Sequence, residues 1–254
     1  HYLWIQLDQN YQSHNADSRA VPNIKRGVDP AKFSYFALDR LLAYEEYDGA
    51  MTLSAVTDKD GVPLKHQVVK TMMRVTPSAP LPPGSSFVLK VSWSFPINDA
   101  KRINERTGYE YFEKDGNCIY TIAQWFPRMA AYTDYGGWLH KQFLGTGEFT
   151  LEFGDYTVRL TVPEDHVVAA TGVLQNPEQI LSPAQRERLQ QAQSEFKKPL
   201  FIITPDEALA AEKSRSQKTK TWVFKAENVR DFAFASSRKF IWDAMAVEGA
   251  DFPP

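Results

Sequence analysis

The sequence predicts an all-β fold, a large sandwich of about a dozen or more strands with a short helical insertion, and three observations lead there. Six Trp, 11 Tyr and 16 Phe fall mostly in short runs with period-2 alternation or β-branched enrichment, the pattern of strands that bury one face. Residues that tolerate positive φ separate these runs, at Asp60-Gly61, Asp115-Gly116-Asn117, Gly145-Thr146-Gly147 and Gly154-Asp155. Pro96 and Pro163 close their runs, because a proline has no N–H to give to a strand ladder.

In chain order, His1 to Leu7 opens in the middle of an apolar strand, without a polar lead-in. Phe33, Phe36, Ala37, Arg40, Leu41 and Tyr44 share one helical face and predict a helix from Asp29 to about Glu46, with a strand over Met51 to Val56 after it. Phe87 to Phe95 alternates with apolar side chains at odd positions, and Tyr156 to Val162 and Thr219 to Phe224 also sort by polarity. Gln175 to Lys220 reads as an insertion on this β framework. Ser182-Pro183-Ala184-Gln185 supplies an N-cap, a first-turn proline and a capping-box Gln; helix formers run to Phe196, and Pro199 stops them. Thr204-Pro205-Asp206-Glu207 repeats the start signal for a shorter helix through about Lys213, and the apolar strand Leu200 to Ile203 lies between the two. Ala246 to Pro254 reads as the start of a linker, so residues 1–245 are expected to form one domain of a larger protein.

The 254 residues carry 29 Lys and Arg against 31 Asp and Glu, a formal net charge of −2. Nucleic acid and anionic membranes require a concentrated basic excess, so no nucleic-acid partner is expected. No apolar run approaches the roughly 20 residues of a membrane span, so no transmembrane segment is expected in this chain. A chain of this length can bury roughly 70–75% of its unfolded surface and needs no disulfide framework, which the single Cys118 could not form in any case.

Alone, the chain does not read as an enzyme. None of His1, His14, His66, His140 and His166 begins the paired-His helical motif of a zinc site, so no metal ligand and no catalytic residue is assigned. Gly84-Ser85-Ser86 lacks the second glycine of a nucleophile elbow, and Gly145-Thr146-Gly147 lacks the third glycine and following helix of a phosphate cradle. Asp58-Lys59-Asp60-Gly61 starts like a calcium loop but has no closing Glu, and fits a hairpin turn better. Glu45-Glu46, Glu164-Asp165 and the basic run Lys213 to Lys220 are expected to be solvated, and Cys118 to be a small core residue.

One segment differs in kind. After a strand that ends near Gln124, Pro127 pushes Phe126 into an extended conformation, and an irregular loop through Trp138 carries Gln124, Arg128, Asp134 and several aromatics. Loops of this composition at strand ends are common binding sites, although packing alone also accounts for the aromatics.

Several stretches together carry a family resemblance: Ala123-Gln124-Trp125-Phe126-Pro127-Arg128, Trp138, Phe143-Leu144-Gly145, Gly147-Glu148-Phe149, Tyr156-Thr157-Val158, Val162-Pro163 and Ala170-Thr171-Gly172. Their order and spacing resemble the N-terminal β domain of the aminopeptidase N family of zinc metallopeptidases. Trp222 to Ser237 is similar to the last strands before that family's catalytic domain, and His1 to Asn10 to a strand inside the β domain.

The resemblance implies a saddle-like β-sandwich packed on a thermolysin-like catalytic domain that this chain does not contain. Zinc, its His/His/Glu ligands and the general-base Glu would all belong to that domain, where a zinc-polarised carbonyl is attacked by a metal-activated water. This chain would hold no cofactor of its own. By position, Gln124 would help bind the free α-amino group of a peptide: a substrate ammonium that loses water on entering a closed site regains a hydrogen bond from the Gln amide oxygen. Arg128 and Asp134 accompany Gln124 as candidates that shape this loop on the substrate side. The implied partners are the protein's own catalytic domain and a peptide N-terminus, and exported bacterial relatives point to the cell envelope. Two other readings stay open, a non-catalytic interaction module in which Gln124 merely caps a strand end, and a carbohydrate-binding sandwich with exposed, coplanar Trp and Tyr. The peptidase reading instead expects most of Trp4, Trp93, Trp125, Trp138, Trp222 and Trp242 to be packed.

Overall fold

A computed structural model describes residues 2–7, 14, 16, 17, 34–103, 107–144 and 150–247. In chain order its elements are β1 (Leu3–Gln6), α1 (Tyr35–Glu46), β2 (Thr52–Thr57), β3 (Lys65–Val69), β4 (Met72–Thr76), β5 (Lys90–Ser94), β6 (Gly108–Phe112) and β7 (Asn117–Ile122). Next come β8 (Arg128–Met129), β9 (Tyr132–Thr133), β10 (Gly137–Trp138), β11 (Gly154–Pro163), β12 (Val167–Ala170), β13 (Val173–Leu174), α2 (Pro177–Ile180) and α3 (Pro183–Ala192). The last are β14 (Leu200–Ile203), α4 (Pro205–Glu212), β15 (Thr219–Val229), β16 (Phe234–Ser237) and β17 (Trp242–Ala244). The chain is all-β with a short helical insertion, α2 to α4, between β13 and β15. No described helix is long and apolar enough to cross a membrane. Two compact units result, His1–Gly108 with Gln124–Glu152, and Tyr109–Ala123 with Phe153–Pro254.

In the first unit an antiparallel sheet runs in the order β3-β4-β1-β8, and β2 pairs with β5. Ile5, Leu7, Met51, Val56, Leu64, Met73 and Val75 form its buried core. Phe87, Leu89, Val91, Trp93 and Phe95, the odd positions of the expected alternation, all pack against that core. Asp58-Lys59-Asp60-Gly61 is a hairpin turn. The Asp58 carboxylate accepts the Asp60 and Val62 N–H groups at 2.9 and 3.0 Å, and Gly61 sits at φ +83°. Helix α1 starts behind Ser34, whose hydroxyl accepts from the Ala37 N–H at 3.2 Å. Phe36 and Leu41 of its expected inner face are exposed, and Ala43 is buried instead. The expected first turn at 29–33 lies outside the described residues, as do the Gly145-Thr146-Gly147 turn and linker residues 248–254.

In the second unit β15 pairs with both β11 and β13, and a sheet runs in the order β12-β16-β7-β6. Trp222, Phe224 and Ala226 alternate inward along β15 to build the core. Two of the three insertion helices, α3 and α4, begin in capping boxes, at Ser182/Gln185 and Thr204/Glu207, each with a proline in the first turn. The strand between them, β14, pairs with β17. Gly154-Asp155 is not a turn. It opens β11 at a bulge whose positive φ falls on the facing strand, at Asn228 (φ +53°), where the Asp155 carboxylate accepts the Asn228 N–H at 2.9 Å. Cys118 is half-buried in β7.

Gly172 links β12 to β13 at φ +89°, and a Cβ there would stand 2.4 Å from the Lys225 carbonyl oxygen. Both the backbone conformation and the close approach demand glycine. Gly172→Ala is expected to destabilise the protein by about 3 kcal/mol, read as a lowered urea midpoint at unchanged m-value.

Candidate functional site

The loop that follows β7 begins with a backbone outlier. Gln124 adopts φ +50°, in the left-handed region, where a residue with a Cβ gives up roughly 1–2 kcal/mol. One residue on, the Trp125 carbonyl accepts the Trp93 indole N–H at 2.9 Å, and the two rings lie 6.1 Å apart. Phe126 meets Trp125 edge to face at 5.2 Å, and the Arg128 guanidinium lies 5.9 Å from the Phe126 ring centre. Arg128 opens β8 opposite Gln6 of β1 and is 5% exposed. The chain then forms the β9–β10 hairpin, whose Asp134-Tyr135-Gly136 turn closes with the Gly136 N–H donating to Thr133 Oγ1 at 3.1 Å and with Gly137 at φ +68°. Gln142 fastens the far end. Its amide oxygen accepts the Thr71 N–H and hydroxyl at 2.9 and 2.7 Å, and its NH2 donates to the Val69 carbonyl at 2.9 Å.

The three predicted site residues therefore occupy different settings: Gln124 half-buried, Arg128 buried within a paired strand, and Asp134 exposed on a hairpin turn. The Gln124 side chain has no hydrogen-bond partner among the described residues, which counts against its being a strand cap. Its amide is left with both its donor and its acceptor capacity. None of the six Trp is exposed, contrary to what a carbohydrate-stacking platform built on Trp requires. Among the described residues no three His, Cys, Asp or Glu side chains converge to hold a metal ion.

A polar cluster in the second unit was not anticipated. Asp165, expected to be solvated, has a side chain only 7% exposed. Its Oδ2 accepts the Ser214 hydroxyl and the Ser216 N–H at 2.9 and 2.8 Å, and the Arg238 Nε stands 2.9 Å away as an ion pair. The Ser216 hydroxyl donates to Glu164 at 2.6 Å, and Arg215 donates to the carbonyls of Glu212 and Asp115, both at 2.7 Å. The basic run keeps Lys213, Arg215, Gln217 and Lys218 exposed, as expected, and its serines and Arg215 fasten it to Asp165, Glu164 and two backbone carbonyls. Lys239 pairs with both Asp115 and Glu212 beside it. Burial pushes the Asp165 carboxyl up, but Arg238 and the two serines outweigh it and hold the pKa at about 2. Burial, and then the Arg238 charge, push the neighbouring His166 down to about 4; its Nδ1 lies 2.9 Å from Ser236 Oγ.

No family model matches this sequence, and no curated protein matches it. Among solved structures, the chain is similar to a two-domain M1 zinc metallopeptidase, a Glu-to-Ala variant bound to L-tryptophan, at 14% identity over 73% of this chain, with a TM-score of 0.36. It is similar to the M1 zinc metallopeptidase from Deinococcus radiodurans at 15% identity over 73% of this chain, TM-score 0.36. A variant of the Deinococcus enzyme bound to a Tyr-Ser-Ala substrate matches at 15% identity over 74%, TM-score 0.35. The chain spans 32% of the length of each.

Two outcomes follow from these geometries. Gln124→Gly is expected to raise the unfolding free energy by about 1 kcal/mol in urea titrations, by relieving the left-handed strain. Between pH 6.5 and 4 the unfolded chain protonates His166 while the folded chain does not, so stability falls with pH across that window; at about 1.4 kcal/mol per unit the ceiling is about 3 kcal/mol. Asp165 adds a further loss as pH falls from 3.8 towards 2. His166→Asn should flatten the upper of these two segments in urea midpoints measured against pH, and a slope unchanged by the substitution would reject the assignment.

Proposed function

We propose that this chain is the N-terminal β domain of a zinc aminopeptidase, and that Gln124 receives the α-ammonium of a peptide substrate. The sequence resemblance supports the family. The observation that carries the residue assignment is the strained, half-buried Gln124, whose amide has no hydrogen-bond partner among the described residues. Strain at a residue whose polar group is otherwise unused is typical of sites whose partner arrives from outside.

The Gln124 amide oxygen accepts a hydrogen bond from the substrate ammonium, in a setting where lost hydration makes that bond worth more than in water. Trp93 holds the Trp125 carbonyl, one residue on from Gln124, and so anchors the start of the loop. Arg128, buried against Phe126, acts as a positioning residue for the loop, and the exposed Asp134 supplies a negative group on the substrate side. Zinc, bound outside this chain, supplies the polarisation of the scissile carbonyl and the activated water. The residues of this chain select for a free N-terminus and leave bond cleavage to the partner domain.

The test is hydrolysis of aminoacyl chromogenic substrates by the full-length protein and by this chain alone, with and without a chelator. Activity is expected only in the full-length protein and only without the chelator. Gln124→Ala should lower kcat/KM by about tenfold, one hydrogen bond to a charged group. Cleavage by this chain alone, or by neither protein, would overturn the proposal.

A further inference from the structure

The inward row of β15 does not begin with an apolar residue. Trp222, Phe224 and Ala226 are buried on one face of the strand, and Lys220, two positions before Trp222, starts the same row and is half-buried. Its Nζ stands over the Trp222 ring, 5.0 Å from the ring centre, and Trp222 itself has no exposed surface. No hydrogen bond or ion pair takes the Lys220 ammonium among the described residues.

The carboxylates that could do so are engaged elsewhere. Val162 pairs with Lys220, and the Glu164 N–H donates to the Lys218 carbonyl at 2.9 Å, so the turn after β11 lies beside this end of β15. Glu164 accepts the Ser216 hydroxyl, while Asp165 holds Ser214, Ser216 and Arg238. His166, held uncharged near neutral pH, adds no acceptor charge. The ammonium has thus exchanged much of its water for the face of an indole, a partial substitute. Burial pushes the Lys220 amine down from the ordinary lysine range, and Asp165 and Glu164 only partly pull it back. A lysine so placed presents more of the free amine, the nucleophilic form, than a solvated one.

We infer that Lys220 is a carbonyl-reactive lysine that takes small uncharged aldehydes as protonated imines. The Nζ lone pair attacks the aldehyde carbon and forms the C–N bond; the C–O bond breaks, and the oxygen leaves as water with two of the three ammonium hydrogens. One positive charge enters and one remains, and no oxidant or reductant is consumed. The iminium therefore inherits both the indole face and the attraction of Glu164 and Asp165, whereas acylation would discharge the site. Those carboxylates also disfavour an anionic aldehyde, and half-burial limits its size. The inference does not rest on the peptidase assignment.

Trapping with glycolaldehyde and cyanoborohydride at pH 7, followed by mass mapping of the modified lysines, tests it. Lys220 is expected to be labelled about tenfold faster than the exposed Lys218 two residues earlier. Glyoxylate, which also has two carbons but carries a carboxylate, should lower the Lys220 to Lys218 ratio by about threefold. In guanidinium chloride the ratio should fall to about one, because the unfolded chain solvates both amines. A ratio of one or less in the folded protein overturns the inference, as does a preference that survives unfolding. An equal preference with glyoxylate overturns the selectivity for uncharged aldehydes.

Discussion

The hydrogen bond from the Trp93 indole to the Trp125 carbonyl is the constraint on which the candidate site depends. Trp93 belongs to a strand whose alternate residues are locked into the first unit's core, so its N–H points from a fixed place. The acceptor is the Trp125 carbonyl, one residue on from Gln124, and holding it fixes the Trp125–Phe126 peptide at the start of the loop. The left-handed Gln124 thus sits immediately before a peptide anchored to the core. Strain of this size survives only where the surroundings over-determine the backbone, and the Trp93 donor and the paired β8, both just after Gln124, supply such constraints.

The second unit solves a different problem. Its sheets are joined by long connections, and the connection that returns from the insertion to β15 is strongly basic. Fastening that segment to the Asp165 carboxylate, with Arg238 as counter-charge, lets serine side chains substitute for the water a solvated loop would keep. The cost of burying Asp165 is offset by two hydrogen bonds and the Arg238 ion pair on one oxygen, a set that stays intact down to strongly acid conditions.

How much of this was legible in the sequence depends on how far apart the interacting residues lie. The Phe87 to Phe95 alternation and the Ser182 and Thr204 capping boxes are local patterns, and the structure follows them. The bulge at Gly154 was hidden because its positive φ belongs to Asn228, on a strand whose register a single sequence does not reveal. Asp165 reads as one of two carboxylates beside a turn, and only tertiary folding brings Ser214 and Ser216 to it from about 50 residues away. For Gln124 the signal was compositional, a polar residue at the end of a strand before an aromatic loop, while its left-handed backbone and the Trp93 anchor beside it come from tertiary structure that no local pattern connects.

The pairing of β14 with β17 also sets a clock on chain synthesis. Phe201 lies opposite Asp243, 42 residues later in the chain (243 minus 201), so β14 leaves the ribosome several seconds before its partner at typical rates of about 5–20 residues per second. During that interval an apolar strand between two self-capping helices has an unsatisfied edge, the kind of surface that recruits wrong strands. The prolines at 199 and 205 bracket it and keep the exposed stretch short. Punctuation built into the insertion itself thus shortens the edge that the nascent protein leaves open while it waits for β17.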